Sequence, residues 1–257
     1  MVKIIFLDFD KTLYSHDTNC VPASAVEALN NAHNKGIKIF ICTGRSLFEM
    51  DSFDLSMLHL DGLIANNGQL AYDSNNKIIF DYPVTGKLKE LIIEKFNAKI
   101  NPMIIFTEND SFCNYRNNAL IDMHKNIHSP LPPIKKYNGE KFYMASGFFN
   151  DDKKIDDLMP LQEHATITFW NNEGIDVVPK GTSKAIGVKR ILEYYDIDQK
   201  DSMGIGDGEN DIEMIKYCGI GVAMGNSEQK IKDIADYVCS DIDKDGIYNT
   251  LKHYQII

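Results

Sequence analysis

The amino-acid sequence predicts an α/β fold: a doubly wound, parallel-sheet core interrupted by an inserted α+β domain. Three observations carry this. Short apolar runs at residues 3–8, 37–42, 62–65, 202–206 and 219–223 have the length and the β-branched and aromatic content of buried strands. Segments with apolar residues at helical spacing lie between them, as in a series of right-handed crossovers. Between about residues 83 and 178 that alternation gives way to helices and longer alternating strands, which marks an insertion.

Taken in order, the strand at 3–8 ends on carboxylates. Pro22 is a helix first-turn signal, Val26, Leu29 and Ala32 or His33 recur at helical spacing, and Lys35-Gly36 closes that helix. The strand at 37–42 runs straight into Thr43-Gly44-Arg45. A helix over about 46–57 and a strand at 62–65 continue the rhythm, and Asn66-Asn67-Gly68 precedes a hairpin of residues 69–72 and 77–80. Within the insertion, 87–96 and 151–158 read as helices and 103–107, 142–149 and 166–170 as strands; Ser129-Pro130-Leu131-Pro132-Pro133 reads as an extended connector. The βα alternation then resumes. Val188, Ile191, Leu192 and Tyr195 share one face of a helix at 183–195, followed by a strand at 202–206, a helix at 209–217 and a strand at 219–223. The expected division is residues 1–82 with 179–257 as a discontinuous core, and 83–178 as the inserted domain.

Composition narrows the function classes. The 257 residues carry 27 Lys+Arg against 37 Asp+Glu, a net charge of −10, so a nucleic-acid partner would meet overall repulsion and none is expected. No stretch approaches the roughly 18 apolar residues that span a bilayer, so no membrane association is expected. Asp8 and Asp10 arrive too early for a secretory signal, which makes the cytoplasm the expected compartment. The cysteines (Cys20, Cys42, Cys113, Cys218, Cys239) are odd in number and scattered, and read as thiols packed in the core.

Four motifs could carry chemistry. Asp8-Phe9-Asp10-Lys11-Thr12 sets two carboxylates two residues apart at a strand end, where open α/β sheets bind ligands and where such close like charges call for a cation. A strand terminus capped by an Asp is its plainer reading. Thr43-Gly44-Arg45 offers a hydroxyl, a close backbone approach and helix-start N–H groups to a phosphate, or simply an N-cap. Lys184 opens a helix, where a local anion would offset the cost of its charge against the helix dipole, or it is simply a solvated side chain. In Gly206-Asp207-Gly208-Glu209-Asn210-Asp211, the strongest signal, several oxygens gather at one strand tip, which suits Mg²⁺; a helix N-terminus enriched in acids for its dipole is the competing reading. Two decoys are set aside. Residues 241–246 match half an EF-hand loop but have Lys252 at the twelfth position, and read as a turn capping the last helix. The glycines of 219–225 begin within a strand and read as close backbone packing.

All four motifs fall at carboxyl ends of strands that a doubly wound sheet gathers into one crevice. Together with Asn67-Gly68 and residues 221–226, they resemble the haloacid dehalogenase superfamily phosphatases, specifically the Cof-like group with its Rossmann-like core and large C2 cap. The resemblance spans nearly the whole chain, with the insertion where that cap would be.

It implies that Asp8 is the nucleophile, forming an aspartyl-phosphate, and that Asp10 protonates the leaving alcohol and then deprotonates the hydrolytic water. It implies Mg²⁺ held by the Asp8 carboxylate, the Asp10 carbonyl and Asp207, with Asp211 ligating the ion or supporting a ligand. Thr12, Thr43, Gly44, Arg45, Lys184 and Asn210 would bind substrate, most of them at the phosphoryl oxygens. Lys11 departs from the Gly usual after the second Asp. The implied substrate is a small phosphate ester such as a hexose phosphate, and the implied state a monomer or weak dimer. Specificity would reside in the cap, where Arg116, Tyr143 and Trp170 are candidates with core or surface packing as the plainer reading. A phosphotransferase or mutase would use the same intermediate. A catalytically idle ligand sensor would have no need of a nucleophile.

Overall fold

The computed structural model describes residues 1–127, 129–149, 159–171 and 174–257. The chain divides into two units. One contains Met1–Gly44, Asp54–Asp81 and Ser183–Ile257, the other Arg45–Phe53 and Tyr82–Thr182.

In chain order the elements are β1 (Ile4–Leu7), α1 (Ala23–Asn34), β2 (Lys38–Cys42), α2 (Leu47–Met50), β3 (Gly62–Ala65), β4 (Leu70–Asp73), β5 (Ile78–Asp81), α3 (Gly86–Ala98), β6 (Met103–Phe106), β7 (Ser111–Cys113) and α4 (Asn118–Asn126). They continue with β8 (Met144–Phe148), β9 (Ala165–Asn171), β10 (Gly174–Pro179), α5 (Lys184–Tyr195), β11 (Ser202–Gly206), α6 (Ile212–Tyr217), β12 (Ile220–Ala223), α7 (Gln229–Lys232), β13 (Tyr237–Val238) and α8 (Gly246–His253).

The first unit is built on an eight-stranded sheet in the order β13-β12-β11-β1-β2-β3-β4-β5. From β13 to β3 the pairs are parallel, and the β4–β5 hairpin adds an antiparallel edge. The central strand β1 is buried along its whole length, which accounts for its unbroken apolar run: both faces are covered, so no polar alternation survives. One face meets α5, where Val188, Ile191 and Leu192 join Ile4, Phe6, Phe40 and Ile64 in a single cluster. Each such side chain contributes about 1.5–3 kcal/mol by leaving water.

Topology places the site. From β1 the chain winds outward through β2 and β3; from β11 it winds the other way through β12 and β13. The reversal falls between β1 and β11, the point at which doubly wound sheets open a crevice beyond their carboxyl ends. Register makes the placement specific. Leu7 lies opposite both Ile205 and Ile41, so the residues that follow on the three strands emerge side by side.

The second unit is a five-stranded antiparallel sheet, β7-β6-β8-β10-β9. On one face Met103, Ile105, Ala145, Ile175 and Val177 pack against Leu88, Ile92 and Phe96 of α3. On the other, Ile104, Phe106, Met144 and Phe148 pack against Leu120 of α4. The expected α+β insertion is therefore present, with two strands (β7 and β10) and one helix (α4) more than the sequence pattern suggested. The helix expected over 151–158 lies outside the described residues. That expected over 46–57 is shorter, ending at Met50. The turn at 241–246 does lead into the last helix, α8, and Gly221 packs so closely that an added Cβ would lie 2.1 Å from the Ile215 carbonyl oxygen.

Candidate active site

Asp8 follows β1 directly, and its backbone N–H donates to the Ile205 carbonyl at 2.9 Å, which prolongs the β1–β11 pairing to the carboxylate itself. Asp207 follows β11 in the same way. Asp211 returns to them from the turn after Asp207: its Oδ2 accepts from the N–H groups of Asp207 (3.1 Å) and Gly208 (2.9 Å). Gly206 permits this approach, since a Cβ there would lie 2.5 Å from the Asp211 side chain. Lys184, first residue of α5, is completely buried, with Nζ donating to Asp8 Oδ1 at 2.5 Å and to Asp211 Oδ1 at 2.7 Å. A buried lysine at a helix N-terminus is doubly unfavourable, and the two carboxylates provide the compensation.

Three carboxylates face one ammonium. Carboxylate atoms of Asp8, Asp207 and Asp211 all lie within 4.8 Å of one another. Burial pushes the Asp8 carboxyl well above its ordinary value, with Asp211, Asp207 and Asp10 adding to the rise and Lys184 opposing it. Asp207 is pushed up to about 6, again by burial and then by Asp211, while the Thr12 hydroxyl and Lys184 work against the shift. Burial alone would lower Lys184; Asp211 and Asp8 outweigh it and hold the ammonium charged far above the usual range. Two of the three negative charges thus lack a counterpart within the cluster. Hard oxygens in a buried, negative, partly proton-seeking arrangement fit a divalent cation of the Mg²⁺ kind.

The remaining predicted residues fall into four groups. Thr12 and Asn210 stand beside the cluster: Thr12 Oγ1 donates to Asp207 Oδ1 (3.1 Å), and Asn210 Nδ2 donates to Asn67 Oδ1 (3.0 Å). Thr43 and Gly44 follow β2. Thr43 is buried, with its N–H on the Ile64 carbonyl (2.8 Å) and its own carbonyl accepting from Asn67 N–H (3.0 Å). Gly44 leaves room for the Asn67 amide, which an added Cβ would approach to 3.2 Å. Asp10 has a different partner, its Oδ1 meeting His16 Nε2 at 2.7 Å. Arg45 is held by the second unit, donating to the Ile127 carbonyl (3.0 Å) and lying 4.7 Å over the Phe53 ring.

Among the cap candidates, Tyr143 is fully buried and Arg116 donates twice to the Pro132 carbonyl, so both serve their own unit's packing. The side chain of Trp170 lies outside the described residues. Sequence reasoning missed His16, because a histidine in a polar loop carries no periodic or motif signal. It read Asn67 as part of a turn and tied it to the site only through resemblance; the signal in the chain was the Asn-Asn-Gly run, whose residues all adopt positive φ.

Comparison with known proteins bears on the family and the fold. A family model described as haloacid dehalogenase-like hydrolase matches residues 5–251. The chain is similar to a solved phosphatase of the haloalkanoate superfamily from Bacteroides thetaiotaomicron, with 31% identity and a TM-score of 0.90 over 100% of this chain and 96% of that one. It is similar to a sugar phosphatase of haloacid dehalogenase subclass IIB, with 29% identity, a TM-score of 0.87 and complete coverage of both chains. Among curated relatives, it is 27% identical to the 5-amino-6-(5-phospho-D-ribitylamino)uracil phosphatase YcsE of Bacillus subtilis, over 98% of this chain and 96% of that protein. The chain belongs to the haloacid dehalogenase-like hydrolases, among the phosphatases of the Cof-like group.

Proposed function

We propose that the protein is a Mg²⁺-dependent phosphatase of small phosphorylated metabolites, hexose phosphates foremost, working through a phosphoryl group carried on Asp8. The observation that carries this is the buried arrangement of Asp8, Asp207, Asp211 and Lys184 at the sheet's switch point. Relatives named for a sugar phosphate and for a ribityl phosphate support the substrate class, since both substrates are phosphate esters of polyhydroxy compounds.

In this reading an oxygen of Asp8 attacks phosphorus, and the bond from phosphorus to the ester oxygen breaks as Asp10 delivers a proton to that oxygen. Asp10, now ionised, takes a proton from the water that attacks the phosphoryl-Asp8, and inorganic phosphate leaves with Asp8 restored. Lys184, Thr43, the Gly44 amide and Asn210 bind the phosphoryl oxygens, Arg45 contributes to substrate binding, and Thr12 steadies Asp207. The groups that would hold the ion are the carboxylates of Asp8, Asp207 and Asp211 and the carbonyl of Asp10. When bound, it offsets the repulsion between Asp8 and an incoming phosphate and draws charge from the transferring group.

The test is turnover of p-nitrophenyl phosphate with Mg²⁺ and no added acceptor. Free phosphate should appear, and Asp8→Asn and Asp10→Asn should each lower turnover by at least roughly a hundredfold. Near-wild-type turnover in either variant removes that residue from the mechanism, and p-nitrophenol release that needs an added alcohol, with the phosphoryl group found on that alcohol, makes the protein a transferase.

A further inference from the structure

We infer that His16 is a positioning residue for Asp10, fixing the orientation in which its carboxyl group handles the proton. This rests on the assignment of Asp10 as the acid and base given above. The loop between β1 and α1 is tied at several points. The N–H groups of Leu13 and Tyr14 donate to the Phe9 carbonyl (3.0 and 2.8 Å), Lys11 N–H to the Tyr14 carbonyl (2.9 Å), and Ser15 N–H to the Cys20 carbonyl (3.0 Å). Asn226 Nδ2 reaches in from beyond β12 to donate to the Lys11 carbonyl (2.9 Å).

On this frame Tyr14 stacks on Phe9, with ring centroids 5.4 Å apart and 21° between planes, and presents its edge to His16 at 5.4 Å and 71°. Two aromatic contacts in series therefore hold the imidazole, and Nε2 meets Asp10 Oδ1 at 2.7 Å. The Asp10 side chain is 33% exposed and that of His16 only 15%, so the more buried, better packed partner orients the more accessible one. A carboxyl group turning about its Cβ–Cγ bond presents either oxygen. In the tautomer that carries its proton on Nε2, His16 donates to Oδ1 and so fixes the orientation in which the carboxyl group meets the ester oxygen and later the water. Loss of the imidazole leaves Asp10 chemically intact but less often aligned, which costs rate in proportion to how much the leaving group needs its proton.

The experiment compares wild type, His16→Ala and His16→Gln on phenyl phosphate and p-nitrophenyl phosphate, with thermal melts of each. The two substrates share charge and nearly share shape, but phenolate is the more basic leaving group. Because kcat/KM covers only the steps through phosphoryl transfer to Asp8, it isolates the acid role. His16→Ala should lower kcat/KM for phenyl phosphate at least about tenfold more than for p-nitrophenyl phosphate. Gln, whose amide nitrogen occupies nearly the Nε2 position, should bring the ratio back to within about threefold of wild type. A folded His16→Ala that loses equally on both substrates, or on neither, overturns the inference, as does a folded His16→Gln that fails to restore the ratio. Asp10→Asn separates the two levels: if it retains wild-type turnover, the assignment of Asp10 fails and the role of His16 with it, whereas an inactive Asp10→Asn beside an unchanged His16 ratio removes His16 alone.

Discussion

Lys11 stands where this family usually has glycine, and its φ of 61° shows what glycine is for at this place. The turn that carries Asp10 back toward Thr12 needs a left-handed residue, which costs an L side chain about 1 kcal/mol or more. Lys11→Gly is expected to raise stability by up to about 1 kcal/mol, strain relief outweighing the freedom that glycine adds to the unfolded chain. Urea unfolding would measure it, and a clear loss of stability would mean that the lysine side chain returns more than its backbone costs.

The cysteines give a second prediction at this scale. Cys42, Cys113, Cys218 and Cys239 are buried and Cys20 is exposed. Burial pushes the Cys218 thiol up to about 12 and raises those of Cys42, Cys113 and Cys239. Only the thiolate is nucleophilic, so a thiol reagent near neutral pH should label Cys20 rapidly and the other four only after unfolding. Rapid labelling of a second cysteine in the native protein would contradict the packing described.

At the scale of elements, β1, β2, β3, β11 and β12 of the parallel sheet were legible in the sequence because each is a short apolar run buried between two covered faces, whereas β13, two residues long with Val238 exposed, carried no such signal. The candidate site was legible for the same reason: its motifs sit at strand ends, and register needs no side-chain detail to bring strand ends together. What escaped was decided by local competition or by tertiary contact. The helix after Thr43-Gly44-Arg45 starts as expected, with Ser46 and Glu49 capping it reciprocally. It stops at Met50 because polar side chains take the backbone groups a longer helix would use: Ser52 Oγ donates to the Glu49 carbonyl at 2.5 Å and Ser56 N–H to Asp54 Oδ1 at 3.0 Å. Strand β7 has only three residues, and helix α4 is announced by little more than its Asn117 cap, whose side chain accepts from Leu120 N–H at 2.9 Å.

Helix α4 also carries a buried histidine. His124 is lowered from its ordinary 6.5 by burial, against the pull of nearby Glu49, whose Oε1 accepts from Ser129 Oγ at 3.2 Å. The folded protein thus holds His124 neutral where the unfolded chain would bind a proton, so this contribution to stability is present above about pH 6.5 and is lost as pH falls below it. Thermal melts between about pH 5 and 7 should show less acid sensitivity in His124→Gln than in wild type, and identical pH profiles would contradict this.

For the whole molecule, the governing quantity is unbalanced negative charge at the sheet's switch point. Without a cation, folded Asp207 keeps its proton up to about pH 6, while in the unfolded chain it loses it near 3.8. Its contribution to stability therefore falls as pH rises through that window and is gone above it. A bound divalent ion reverses the preference by favouring the ionised form. Mg²⁺ should accordingly raise the melting temperature more at about pH 7.5 than at about pH 5, relative to protein in chelator. Superimposable melts with and without Mg²⁺ at both pH values would remove the ion from the site. No helix among the described residues is long and apolar enough to cross a membrane.

The central claim concerns one covalent bond, between phosphorus and an oxygen of Asp8. The protein can be mixed with Mg²⁺ and a phosphate ester, quenched in acid within a turnover, reduced with borohydride and digested. An acyl phosphate is reduced to the alcohol, so mass spectrometry of the amino-terminal peptide should find homoserine at position 8 in a substrate-dependent fraction of the chains. Substrate that turns over while position 8 stays aspartate in every quenched sample, or homoserine found at another position instead, would contradict the account.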